Sequence, residues 1–80
     1  MKIELDTEVD ALYIELRAGE VGRTLDLDEG VFLDLDAEGR VLGLEFISTK
    51  AFEHFLRRNG GVINIPDKVE GRESLGLSPA

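Results

Sequence analysis

The chain contains no cysteine and no tryptophan, and only one histidine, one tyrosine and two prolines among its 80 residues. Without a thiol it can form neither a disulfide nor a thiolate metal site. With a single imidazole it lacks the second histidine or cysteine that metal sites and proton relays ordinarily recruit, so His54 reads as a partly exposed helix residue. No apolar stretch exceeds a few residues, so no membrane-spanning helix is expected. The opening Met1-Lys2-Ile3-Glu4 has neither the basic segment nor the apolar run of a signal peptide, and the expected location is the cytoplasm. No serine stands in a nucleophile-elbow context, and the glycines form neither a P-loop nor a dinucleotide fingerprint. No cofactor and no catalytic residue is expected.

Cations are also scarce, and unevenly so. Residues 1–47 carry 13 carboxylates against 4 cations, and residues 48–80 carry 4 against 5, which together make the net charge of −8. An acidic first half repels nucleic-acid phosphates, whose binding depends on Lys and Arg displacing counterions. Direct nucleic-acid binding is therefore not expected. The same field attracts a basic protein and speeds the encounter; its simplest role is to keep a small domain soluble.

Size sets a further bound. A chain this short buries about 60 % of its unfolded surface, and a core of that extent supplies roughly 3–5 kcal/mol. With disulfides and thiolate metal sites excluded, the remaining support is oligomerisation, and a homodimer is expected.

What is present is alternation. Leu12, Ile14 and Leu16 alternate with Tyr13 and Glu15; Leu25 and Leu27 with Asp26 and Asp28; Val31, Leu33 and Leu35 with Phe32, Asp34 and Asp36. A period of two marks strands with one buried face. It predicts strands over residues 2–6, 11–16, about 21–27, 31–36 and 41–47. Thr7 to Asp10, Gly19 and Gly22, Asp28-Glu29-Gly30 and residues 37–40 supply the turns. Short connections imply neighbouring antiparallel strands, hence a meander.

The period changes after Ser48. Ala51, Phe52, Phe55 and Leu56 share one helical face. Ser48 is the expected N-cap, Arg57 and Arg58 suit the negative end of the helix dipole, and Asn59-Gly60-Gly61 is the stop. Phe52 and Phe55 should cap the sheet. Residues 62–65 are a short candidate strand ended by Pro66. The expected fold is α+β, an antiparallel β-meander of about five strands with one helix packed on it. Residues 1–65 make the domain, and residues 66–80 a flexible tail in which Val69, Leu75 and Leu77 are the large apolar residues.

One stretch imitates a calcium loop. Asp34-Leu35-Asp36-Ala37-Glu38-Gly39, with Glu45 six positions after the glycine, nearly fits D-x-[DN]-x-[DN]-G-x(5)-E. Against it, Glu38 replaces the shorter fifth ligand and Leu42 stands at the ninth position. The flanks, moreover, alternate as strands where that motif needs helices. A hairpin with solvated acids explains the pattern. Carboxylates two apart, Asp34 with Asp36 or Asp26 with Asp28, lie roughly 6.8 Å apart along a strand, but dividing acid and base roles between them requires a cleft that separates their pKa values.

The face opposite the leucines is more suggestive. If the helix covers Leu12, Ile14, Leu33 and Leu35, then Tyr13, Phe32, Val41 and Ile47 form a second patch rimmed by acids such as Asp34 and Asp36. Such patches mark protein contacts; the competing explanation is a cross-strand pair of Tyr13 with Phe32. Tyr13, Phe32, Asp34, Asp36 and Val41 are the candidate partner-binding residues.

Three runs carry a family resemblance: residues 10–16 (DALYIEL), residues 31–36 (VFLDLD) and residues 39–47 (GRVLGLEFI). Together they resemble the bacterial and archaeal domain of unknown function 2283 over about residues 1–50. The resemblance implies a small β-meander, often followed by a helix, with no established activity and no catalytic residue to carry over. Some members of that family look like the smaller partner in toxin–antitoxin-type gene pairs, which implies binding of a basic, ribonuclease-like protein. The expected function is thus a non-catalytic protein-binding module, antitoxin-like, for a basic partner. The alternatives are a structural homodimer without a ligand, or a metal-dependent binder or enzyme using Asp34, Asp36 and Glu45.

Overall fold

The alternating segments become five strands, followed by one helix: β1 (Lys2–Asp6), β2 (Ala11–Glu15), β3 (Arg23–Asp28), β4 (Val31–Leu35), β5 (Val41–Phe46) and α1 (Thr49–Arg58). This is a computed structural model, and it describes residues 1–71. Every pairing in the sheet is antiparallel, and the class is the expected α+β.

The strand order is β1-β2-β5-β4-β3. Two tight hairpins explain most of it. Gly30 (φ 72°) turns β3 into β4 and Gly39 (φ 84°) turns β4 into β5, each in the left-handed region that glycine enters without penalty. The departure is at β2, whose neighbour is β5 rather than β3. Reaching the far edge means crossing three strand spacings, roughly 14 Å. The connection, residues 16–22, covers that distance easily at roughly 3.3 Å per residue. Sequence adjacency therefore implies spatial adjacency for the hairpin turns but not for this longer link.

One sheet face carries the rows Ile3-Ile14-Leu44-Leu33-Leu25 and Leu5-Leu12-Phe46-Val31. Helix α1 lies across β2, β5 and β4 on this face. Phe55 is buried there, and Phe46 meets Phe52 edge-on at 5.0 Å and Phe55 at 6.0 Å between ring centroids. The Ser48 hydroxyl accepts from the Ala51 N–H at 3.0 Å, the N-cap the sequence predicts, and Arg57 and Arg58 occupy the last turn. A second cap comes from Asp10, held at φ 60°, whose carboxylate accepts from both the Thr49 N–H (3.3 Å) and hydroxyl (2.7 Å). Asp tolerates this backbone region better than most residues.

Beyond the helix the structure departs from expectation. Residues 62–65 form no strand, although Ile63 and Ile65 pack on the core with Asn64 exposed between them. Alternation reports an extended backbone with one side inward; it does not require a strand partner. The segment after Pro66 is docked, not free. The Val41 N–H donates to the Asp67 carbonyl and the Val69 N–H to the Gly39 carbonyl, both at 2.9 Å, and Val69 is 1 % exposed within the core. The tail expected from residue 66 thus contributes to the core at least through Val69. Leu75 and Leu77 lie outside the described residues. Among those described, no helix is long and apolar enough to cross a membrane.

Candidate functional site

The face turned away from α1 is built by the same registers. One row across it reads Glu4-Tyr13-Glu45-Phe32-Asp26, and the next reads Lys2-Glu15-Gly43-Asp34-Thr24. These two rows hold five carboxylates, one ammonium and two half-buried aromatic rings. Glu4, Glu45 and Asp26 are exposed. Tyr13 and Phe32 are not a cross-strand pair: β5 runs between their strands, and Glu45 stands opposite both. The paired-ring explanation fails on topology alone.

At Gly43 the face is pulled together. A side chain there would run into the Tyr13 hydroxyl and Cζ, and into the Ile14 carbonyl oxygen at 2.7 Å. The tyrosine ring therefore lies over β5 where no Cβ stands. Its hydroxyl donates to Asp34 Oδ2 at 3.1 Å, and the Thr24 hydroxyl donates to Asp34 Oδ1 at 2.8 Å. Three strands, β2, β4 and β3, are tied across a fourth by one carboxylate. Burial pushes the Tyr13 phenol up to about 12, with the nearby Asp34 charge and the hydrogen bond to it acting in the same direction.

Asp36, the neighbour of Asp34 in the alternating pattern, is occupied elsewhere. Its Oδ1 accepts from the amides of Glu38 and Arg40, both at 2.9 Å, and its Oδ2 accepts from Arg40 Nε at 2.7 Å. Desolvation raises its pKa, but these bonds outweigh it and hold the carboxyl below the usual range. The calcium-like spacing is therefore a hairpin between β4 and β5. Its Asp36 organises the turn, whereas Asp34 faces Tyr13 and Thr24. Among the described residues no cluster of three or more His, Asp or Glu is placed to hold a metal ion.

Val41 does not belong to the patch. It is 4 % exposed and part of the core. The reason is a bulge: Asp34 pairs with Gly43 but Leu35 with Val41, so Leu42 is an extra residue in β5. One inserted residue reverses the facing of everything before it, placing Val41 on the core side. The Leu42 carbonyl instead accepts from the N–H groups of Leu16 (2.8 Å) and Arg17 (3.1 Å), and the Leu42 side chain is buried close to Gly19. Ile47 is exposed, but at the end of β5 against Gly30. Glu45, Glu4, Glu15 and Asp26 join the face, and Thr24 and Gly43 frame it, although none of the six is among the candidate partner-binding residues drawn from the sequence. Their alternation is visible in the sequence, but which strands lie side by side is not.

Both rows fall within a stretch that a known family model recognises. The profile described as "Protein of unknown function (DUF2283)" matches residues 2–50, which spans all five strands and the start of α1. The chain belongs to this family. No curated protein and no solved structure matches the chain. Membership in DUF2283 covers the whole sheet, and every residue of the acidic face lies inside the matched span.

Proposed function

We propose that this DUF2283 protein is a non-catalytic protein-binding module that presents the acidic outer face of its sheet to a basic protein. The observation that carries this is the pair of cross-sheet rows in which five carboxylates surround Tyr13 and Phe32 on the face opposite the helix. A flat, charged face with aromatic anchors suits protein contact, where aromatics supply buried area and charges supply orientation and encounter rate. Tyr13, Phe32 and Asp34 are its centre, Glu45 replaces Val41 among the contact residues, and Asp36 is a turn residue at its border. The partner class the family resemblance suggests is a basic, ribonuclease-like protein, which would make this chain its antitoxin-like companion.

The test is co-expression with the product of the neighbouring gene, followed by calorimetric titration at two salt concentrations. The expected result is a complex that weakens as salt rises. Glu45→Lys and Phe32→Ala should each weaken it at least tenfold while leaving the circular dichroism spectrum unchanged. Absence of a complex, or a complex indifferent to both substitutions, overturns the reading.

A further inference from the structure

We propose that two copies of this chain join edge to edge through β1, antiparallel about a two-fold axis opposite Ile3, to make one continuous ten-stranded sheet. Strand β1 is an outer strand of the sheet, its five residues are all exposed, and its pairing with β2 is free of bulges. Unpaired N–H and C=O groups along such an edge are a template for another strand. On the helix side, Ile3 is 62 % and Leu5 49 % exposed, although they continue the same rows that are buried at β5 and β4. The core is therefore left open at this margin.

Charge decides both the occupant and the register. A two-fold axis perpendicular to the sheet keeps each side chain on its own face, so it must pass opposite a residue and not between two. Centred on Lys2 it opposes two ammonium groups. Centred on Glu4 it opposes two glutamates, and centred on Leu5 it sets Glu4 against Asp6 twice. Centred on Ile3, it places Lys2 opposite Glu4 of the second copy, and the reverse, while Ile3 meets Ile3 and Met1 meets Leu5 on the apolar side. This register alone has no like-charge pair. Lys2 already lies 3.7 Å from its own Glu4, so the two charges that a second copy would meet stand together on β1. The contact lies along an edge, apart from the centre of the face assigned to a basic partner, and stands independently of that assignment.

The chain has no cysteine, so an introduced one reports cleanly. In the full chain, Ile3→Cys should give a reducible dimer on mild oxidation, because directly opposite residues in antiparallel strands lie within disulfide reach. Leu5→Cys should not, since the two positions are offset by four residues along the strand, roughly 13 Å. In sedimentation equilibrium at about 0.15 M salt, where long-range repulsion between the acidic copies is screened, the unmodified chain should dimerise. Lys2→Glu and Glu4→Lys should each raise the dimer dissociation constant roughly tenfold, and the double swap should restore it. A chain that stays monomeric at all concentrations overturns the proposal. So does a swap that fails to rescue, or more efficient cross-linking from Leu5→Cys than from Ile3→Cys.

Discussion

The two edges of the sheet are built from similar alternating sequences and treated very differently. At the β3 edge, Leu27 is 1 % exposed and the guanidinium of Arg23 donates to the Glu70 carbonyl at 2.7 Å. There Asp28 takes an ion pair from Arg58 at the end of the helix at 3.3 Å, and a bulge between Asp26 and Asp28 interrupts the ladder. Bulges and outward acids are the devices by which natural sheets block an edge. The β1 edge also carries outward charges, Lys2, Glu4 and Asp6, but among the described residues it has neither a bulge nor a covering segment: the ladder is regular and both apolar side chains are exposed. The cause of the difference is the stretch from the end of the helix to residue 71. The helix C-terminus and residues 62–71 fold back over the β3 side and the base of the β4–β5 hairpin. One edge is finished by the chain itself and the other is not.

Core truncation at the two edges should give the largest contrast. Leu27→Ala removes a fully buried side chain and should lower the unfolding free energy by about 3 kcal/mol. Leu5→Ala, half-exposed, should cost under about 1 kcal/mol in dilute monomer. Urea denaturation of both variants decides it, and equal losses would mean that β1 is not open.

Next in size is Gly43→Ala. The new methyl group collides with the Tyr13 ring and with a backbone oxygen that cannot step aside, so a loss of about 1–3 kcal/mol is expected. The same denaturation measurement reads it.

Asp10→Ala should come third, at about 1 kcal/mol, because it removes the acceptor for two Thr49 donors at the start of the helix and leaves a poorer residue at positive φ. Asp10→Asn keeps an acceptor oxygen and tolerates the backbone, so it should retain most of the stability. Failure of that rescue would remove the assigned capping role.

The smallest effect is in alkali, and the single tyrosine with no tryptophan makes it directly visible as tyrosinate absorbance. The folded-state pKa is raised from 10.0 to about 12, so the unfolded chain gives up this proton first. Tyr13 therefore supports folding fully below pH 10 and loses that contribution as the pH rises through 12. Asp34→Asn should move the titration part of the way down, leaving the larger desolvation effect in place. A midpoint near 10 in the folded protein would sink the account of Tyr13 and Asp34.

Much of the fold is legible in the sequence because short-range rules govern it. The five alternating segments, the Ser48 cap, the stop at Asn59-Gly60-Gly61 and the phenylalanine face of α1 all come from neighbours within a few residues. The site is less legible. Alternation places Tyr13, Phe32 and Asp34 on the outer face, where they stand, because facing along an unbroken strand is a local property. It misplaces Val41, because a bulge at Leu42 leaves no mark on composition or period. The framework role of Gly43 becomes visible only once Tyr13 is known to pass over it.

The amino-acid sequence by itself determined which segments are extended, which one is helical, which turns need glycine, and that acids gather on one side of the strands. Each of these is decided by backbone sterics and by the period of apolar residues, which act over one or two turns of chain. Tertiary structure alone decided that β5 enters between β2 and β4, that Val69 closes the core, and that β1 keeps an open edge. Those outcomes depend on which distant surfaces bury the most apolar area together. That is a competition among whole arrangements of the chain, and no local stretch records its result.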